Sequence, residues 1–224
     1  MKAMILAAGR GERMRALTDH TPKPLLEVGG KALIVWHIER LSQAGFNEIV
    51  INHAHLGAQI EAYCGNGSTW NVRIQYSPEQ VALETAGGIA NALHLLGNAP
   101  FLVVNGDTFT DIDFALLRDA LLSTNFAHLV MIDNPPQHPE GDFSLQNNKL
   151  TVDGANKLTF SGIGVYHPDL FKDVVCGETA KLAPLLKVAM SQGLVTAQHY
   201  RGVWHDIGTP QRLSELDASL QVKN

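Results

Sequence analysis

The residues whose types and spacing could do chemistry fall in three places: a glycine-rich basic loop near the start, Asp107, and Asp206. The loop follows the apolar run Met4 to Ala8 and reads Gly9-Arg10-Gly11-Glu12-Arg13-Met14-Arg15, with Thr21-Pro22-Lys23-Pro24 a few residues on. Glycine lets backbone amides approach an anion with no Cβ in the way, and arginines with Lys23 supply the charge that holds polyphosphate in a turn after a strand. Ala8, Gly9, Gly11, Arg13 and Lys23 are the expected triphosphate grip. A tight strand-to-helix turn uses glycines in the same way, and Gly9-x-Gly11 also opens a dinucleotide-binding fingerprint. Met14 stands where the third glycine of that fingerprint belongs, which argues against an NAD-dependent oxidoreductase.

Phe101 to Asn105 reads as a strand and ends in Gly106-Asp107, so a carboxylate is expected at the carboxyl end of a central strand. Far down the chain, Gly202-Val203-Trp204-His205-Asp206-Ile207-Gly208-Thr209-Pro210 puts a second carboxylate beside glycine and a helix start. Two hard oxygen ligands can hold Mg²⁺, which keeps several waters and bridges carboxylates to phosphate oxygens. Taken singly, each aspartate suits a turn or a helix cap equally well. The motif contexts show no Ser or Cys nucleophile, and none of the ten histidines pairs with another at metal or triad spacing. The histidines are read as surface or capping residues.

These residues need elements to position them. Met4 to Ala8, Glu48 to Asn52, Val72 to Tyr76, Phe101 to Asn105 and Leu129 to Asp133 have the β-rich apolar character of strands. Leu33 to Ala44, Leu56 to Cys64, Gly87 to Leu96 and Phe114 to Leu122 carry Leu, Ile and Ala at helical spacing. Such alternation predicts an α/β fold, Rossmann-like, with a mainly parallel sheet and helices on both faces, whose ligands bind beyond the carboxyl ends of the strands. From Asn134 the pattern changes: Pro135-Pro136, His138-Pro139 and Gly141 break the chain, and short strands are expected at Phe143 to Leu145, Leu150 to Val152 and Thr159 to Val165. They are read as a small antiparallel extension over the ligand. A helix from Ala183 to Gln192, a strand from Val195 to Tyr200 and a helix from Pro210 to Leu220 follow, and without a linker or repeat residues 1–224 are expected to form a single domain.

Composition bounds the partners. With 45% hydrophobic residues and 224 in all, the chain can bury a core; it has no 18-residue apolar run and no signal-peptide pattern. Two cysteines, Cys64 and Cys176, are too few for a disulfide framework and lack metal spacing, so reduced thiols in the cytoplasm are expected. The net charge is −5, with no basic-aromatic cluster for nucleic acid. A locally basic loop on an acidic chain points to an anionic small molecule, with no nucleic-acid or membrane partner, in a monomer or homo-oligomer.

The N-terminal string, a glycine loop with Arg13 and with Lys23 between two prolines, resembles the signature of the sugar-1-phosphate nucleotidylyltransferases; strand-Gly106-Asp107 and Trp204-x-Asp206-x-Gly208-Thr209-Pro210 fit the same family. The resemblance implies the nucleotide-diphospho-sugar transferase fold. It also implies that the loop wraps the nucleoside triphosphate, that Arg13 faces the departing phosphates, that Lys23 bridges to the reacting one, and that Asp107 and Asp206 hold Mg²⁺. The family usually has Thr or Ser where this chain has Glu12, so a hydroxyl contact there is replaced. Pro78 to Gly88 resembles the family's base-recognition loop; Gln80, Thr85 and Gly87, with Glu79, are the implied contacts to a uracil face of O2, N3–H and O4. Thr85 would also cap a helix beginning at Gly87. Asn52 and His53 end the second strand near the nucleotide. Glu140, Gly141 and Lys181 are the implied sugar-phosphate contacts, and Trp204 is expected to pack beneath Asp206.

Among compact members, L-A-A-G-R-G-x-R-M, P-K-P-L-L, E-T-A-G-G, T-F-S-G-I-G-V-Y and G-x-W-x-D-I-G-T-P are most similar to bacterial uridylyltransferases that join UTP to N-acetylmuramate 1-phosphate in peptidoglycan recycling. Guanylyl, thymidylyl or uridylyl transfer to mannose 1-phosphate or glucose 1-phosphate, and a non-catalytic nucleotide-sugar-sensing subunit, are the alternatives.

Overall fold

The computed structural model describes residues 1–121 and 124–221. The elements in chain order are β1 (Ala3–Leu6), β2 (Glu27–Val28), β3 (Lys31–Ala32), α1 (Leu33–Gln43), β4 (Glu48–His53), α2 (Gly57–Cys64), β5 (Arg73–Pro78), α3 (Glu84–Leu96), β6 (Phe101–Asn105), β7 (Thr108–Thr110), β8 (Ala127–Ile132), β9 (Phe143–Gln146), β10 (Lys149–Thr151), β11 (Lys157–Tyr166), α4 (Leu182–Ser191), β12 (Val195–His199), β13 (Trp204–Asp206) and α5 (Pro210–Gln221).

The main sheet runs β5-β4-β1-β6-β11-β8-β12-β10-β9, and β9 also pairs with β11. In β1, Ala3 and Ile5 enter one apolar cluster while Met4 enters another; Leu102 and Val104 of β6 divide in the same way from Phe101 and Val103. Alternate side chains thus feed both faces, as the period of two in an extended chain requires. Residues of α1 and α2 cover the first face, with Ile34, Ile38, Leu41 and Ile60 fully buried, and residues of α3 and α4 cover the second. α1 stops where Gly45, at φ 80°, lets the Phe46 amide turn back to the Leu41 carbonyl at 2.9 Å.

The expectation of helices on both faces holds, but the sheet is mixed. β5, β4, β1 and β6 are parallel, as are β8 and β12, whereas β11 lies antiparallel between β6 and β8. The segment read as part of a peripheral extension is therefore central. Its Ile163 and Val165 are fully buried, which a sequence run of the same length does not distinguish from a half-covered edge. Of the three segments read as that extension, β9 and β10 alone lie at an end of the strand order. Phe114 to Leu122 is a 3-10 turn at Phe114–Leu117, with Leu122 outside the described residues.

β11 shifts register between Phe160 and Gly164, and Gly162 occupies that irregularity at φ 79°. A Cβ there would stand 2.6 Å from Asn105 Cγ and 3.1 Å from its Cβ. Gly162→Ala combines backbone strain with overpacking, so it should destabilise the fold by about 1–3 kcal/mol and lower the thermal midpoint by several degrees in a calorimetric scan.

Candidate active site

The parallel register aligns Leu6 with Asn52 of β4 on one side and Asn105 of β6 on the other. Beyond these carboxyl ends lies a cavity of about 750 Å³. Its wall includes Ala8, Gly9, Gly11, Arg13, Lys23, Asn52, Thr85 and Asp107 from the expected set. Glu79, Ala82, Glu84, Asn105 and Gly208 also contribute.

The loop after β1 has the form an anion needs. Gly11 is left-handed at φ 70°, with Lys23 and Thr18 carbons 3.2 Å from where its Cβ would stand. A Cβ on Gly9 would meet no protein atom within 4 Å, so that glycine leaves space open to the cavity. Met14, in place of the third fingerprint glycine, is fully buried in a cluster with Leu26, Phe109, Ile207 and Leu216. It anchors the loop to the segment that follows Asp206.

Lys23 sits in a 3-10 turn between its two prolines, is 6% exposed, and donates from Nζ to Asp107 Oδ2 at 2.6 Å. Asp206 is brought to the same place by backbone pairing: β13 lies antiparallel to β7 with Asp206 opposite Thr108, and the Ile207 amide donates to the Asp107 carbonyl at 2.9 Å. Arg212, in the first turn of α5, donates to Asp206 Oδ2. Thr209 caps that helix, its Oγ1 accepting the Arg212 amide at 3.3 Å. A Cβ on Gly208 would be 3.0 Å from Arg13 Nη2 and 3.1 Å from Asp206 Oδ2, so glycine there admits both groups. Arg13, Lys23 and Asp107 line the cavity, whereas the Asp206–Arg212 pair lies just beyond Gly208 on the wall of a second cavity.

Asn52 and Glu79 line the cavity and also bridge its elements. Asn52 Oδ1 accepts the Ala7 amide at 2.9 Å and its Nδ2 donates to Glu79 Oε1 at 2.7 Å, while Glu79 Oε2 accepts the Leu83 amide at 2.9 Å. They tie β1, β4 and the 79–83 loop together. His53 is directed elsewhere, to Glu61 Oε1 at 2.7 Å. Gln80 is exposed and outside the cavity wall. Gly87 is turned away: its amide donates to the Ala180 carbonyl, and its Cβ position is 2.4 Å from Glu178 O. Thr85 is no cap, because α3 starts at Glu84 and has no side-chain cap.

Glu140 and Lys181 are exposed and line neither this cavity nor a second one of about 690 Å³ flanked by Trp36, Arg40, Phe109 and Trp204. Gly141, at φ 64°, turns the chain against the Asn134 side chain and the Lys157 carbonyl. Trp204 is half-buried on β13 and donates from Nε1 to Ser161 O at 3.0 Å. Cys64 and Cys176 are free.

Arg212, Asn105 and Glu84 were not legible as site residues. Glu84 is a non-glycine residue at φ 61°, a conformation that sequence does not announce. Reading the histidines as surface or capping residues fits His167, whose ring accepts the Asp169 amide, but not His37, His53 or His128, which are buried.

The fold and this site define a class, and the comparisons agree. Residues 2–145 match the family model described as nucleotidyl transferase. The chain is 57% identical, over 97% of both chains, to the N-acetylmuramate alpha-1-phosphate uridylyltransferase of Neisseria meningitidis serogroup B. It is 33% identical, over 97% of its length and 96% of the relative, to the enzyme of the same name from Caulobacter vibrioides. A Bacillus anthracis crystal structure, titled as a glucose-1-phosphate thymidylyltransferase with bound sucrose, superposes with a TM-score of 0.88 at 23% identity, covering 100% of this chain and 96% of that one. The chain belongs to the sugar-1-phosphate nucleotidyltransferase family.

The site generates a pH prediction. Burial pushes the His37 imidazole down to about 4, the hydrogen bond to Thr108 only partly opposing it. Between that value and the unfolded 6.5 the unfolded chain binds the extra proton, so stability falls as pH drops through this window, by up to about 3 kcal/mol from this residue. Denaturant titrations at pH 7 and pH 4.5 should show a smaller loss in His37→Leu than in the wild type. Equal losses would refute the assignment to His37.

Proposed function

We propose that the chain joins UTP to N-acetylmuramate 1-phosphate, giving the UDP-sugar and pyrophosphate, and serves peptidoglycan recycling in the cytoplasm as a single nucleotidyltransferase domain over residues 1–224. The observation that carries the choice of substrates is the 57% identity to the Neisseria uridylyltransferase along nearly the whole of both chains. The chemistry is supported by the cavity at the strand ends, lined by the glycine loop, Lys23 and Asp107, and by Asp206, which backbone pairing sets opposite Thr108.

The anionic phosphate oxygen of the sugar attacks the α-phosphorus of UTP in line. A phosphoanhydride bond forms between that phosphate oxygen and the α-phosphorus, the bond from the α-phosphorus to the oxygen bridging to the β-phosphate breaks, and pyrophosphate leaves with the electron pair. The attacking oxygen carries no proton near neutral pH, so no general base is required. The chain must align two polyanions and neutralise their charge. Amides of Gly9 to Arg13 cradle the phosphates, Arg13 meets the departing pair, and Lys23 exchanges Asp107 for a phosphate oxygen. Thr85 and Glu84, in the cavity wall, would meet the uracil.

Asp107 and Asp206 fit a divalent cation: they are hard oxygen donors, and the pairing of β7 with β13 sets Asp206 opposite Thr108, the residue after Asp107. Bound there, Mg²⁺ would supply charge neutralisation at the α- and β-phosphates. No cluster of three or more His, Cys, Asp or Glu occurs among the described residues, so water and phosphate oxygens would complete its shell.

A coupled pyrophosphate assay over a panel of nucleoside triphosphates and sugar phosphates tests the reading. UTP with N-acetylmuramate 1-phosphate should give the highest kcat/KM; preference for GTP with mannose 1-phosphate would overturn it. Asp107→Ala and Asp206→Ala should abolish turnover, as should excess EDTA, and full activity with chelator would remove the metal. Arg13→Ala and Lys23→Ala should each lower kcat on the order of 10²–10³-fold. Unchanged turnover in both would make the loop structural.

A further inference from the structure

α1 meets the catalytic turn through one polar residue. His37 is 1% exposed, and its Nε2 lies 2.7 Å from the Thr108 carbonyl oxygen. A carbonyl only accepts, so Nε2 carries the hydrogen. Nδ1 is buried and has no partner among the described residues. Burying an unsatisfied ring nitrogen costs free energy, and a hydrocarbon side chain of similar size would fill the same space without that cost. The one thing an imidazole adds here is the bond to Thr108.

Thr108 is the node of the turn. Its Oγ1 donates to the Asn105 carbonyl at 2.8 Å, its backbone pairs with Asp206 across β7 and β13, and it follows Asp107 directly. Two further α1 residues press on the next residue of β7: Trp36 meets the Phe109 ring edge-on at 5.2 Å, and the Arg40 guanidinium lies 5.6 Å from its centroid. Those contacts are apolar or non-directional along the strand. The His37 bond fixes the turn along its own axis.

We propose that His37 is a positioning residue, whose Nε2–H bond to the Thr108 carbonyl sets Asp107 beside Asp206 for the cation that accompanies the triphosphate. This rests on the reading of those two aspartates given above. His37 touches neither substrate nor cation; it acts through the backbone of Thr108.

The test uses the full chain with His37→Leu, which has no donor, and His37→Gln, whose amide can donate from the same helix position. Mn²⁺ binding in the presence of UTP is read by loss of the free-ion EPR signal, alongside thermal midpoint, kcat and KM. His37→Leu should keep a midpoint within a few degrees of wild type at pH 7.5. Its Mn²⁺ affinity and kcat should drop about 10–100-fold, with KM for the sugar phosphate unchanged. His37→Gln should recover most of both. His37→Met replaces the leucine variant if that one does not fold. Wild-type Mn²⁺ affinity and kcat in the apolar variant, or a glutamine variant as impaired as the apolar one, overturn the proposal. A wild-type protein that neither transfers uridylyl groups nor binds Mn²⁺ with UTP overturns the functional reading beneath it, a separate result.

Discussion

The Asn52 carboxamide is the interaction on which the site depends. Through Oδ1 it holds the Ala7 amide, where β1 gives way to the phosphate loop, and through Nδ2 it holds Glu79, whose second oxygen takes the Leu83 amide. One buried side chain therefore sets the start of the glycine-rich loop against the 79–83 loop on the other side of the cavity. The chain is crowded enough that Gly88 must lack a side chain: its Cβ would lie 2.8 Å from both Asn52 Nδ2 and Glu79 Oε1. Each polar atom taken out of water here has a partner, which is what allows a carboxylate to be 7% exposed beside an apolar sheet.

Electrostatics follow from the same geometry. The chain carries a net charge of −5, yet Lys23 pairs with Asp107, Arg212 pairs with Asp206, and Arg13 stands in the cavity wall near them. In a partly enclosed site such charges act more strongly than in water, and pairing them in advance means little reorganisation when phosphate arrives. Lys23 and Arg212 hold the two carboxylates in place. The ion pairs hold the site ready for the polyanions it receives.

Residues of the cavity and its border that belong to contiguous motifs were legible in the sequence. Gly9-x-Gly11, Lys23 between prolines, Asp107 after a strand and Asp206 before Gly208-Thr209-Pro210 are local patterns, and local backbone and charge requirements leave local traces. Periodicity located α1, α3, α4 and α5, as well as β4 and β6, to within a few residues, because burial on one or both faces repeats at 3.6 or 2 residues.

What the sequence did not determine is which elements become neighbours. The Ile163-to-Tyr166 run reads the same in an edge strand and in the centre of a sheet, and only pairing with both β6 and β8 places it in the middle. Gln80 and Gly87 lie in a stretch of the right composition, but the turn at Glu84 exposes the one, and the Ala180 carbonyl claims the amide of the other. Arg212 and His37 carry no motif of their own. Each gains its role from a partner far away in the chain or on another element: Arg212 from Asp206 across the Thr209-capped turn, His37 from Thr108 across 71 residues. Sequence thus determined the functional groups and the elements that carry them, because these depend on covalent neighbours. Tertiary structure decided which groups face the cavity, because that depends on sheet order and on which buried donors and acceptors find one another.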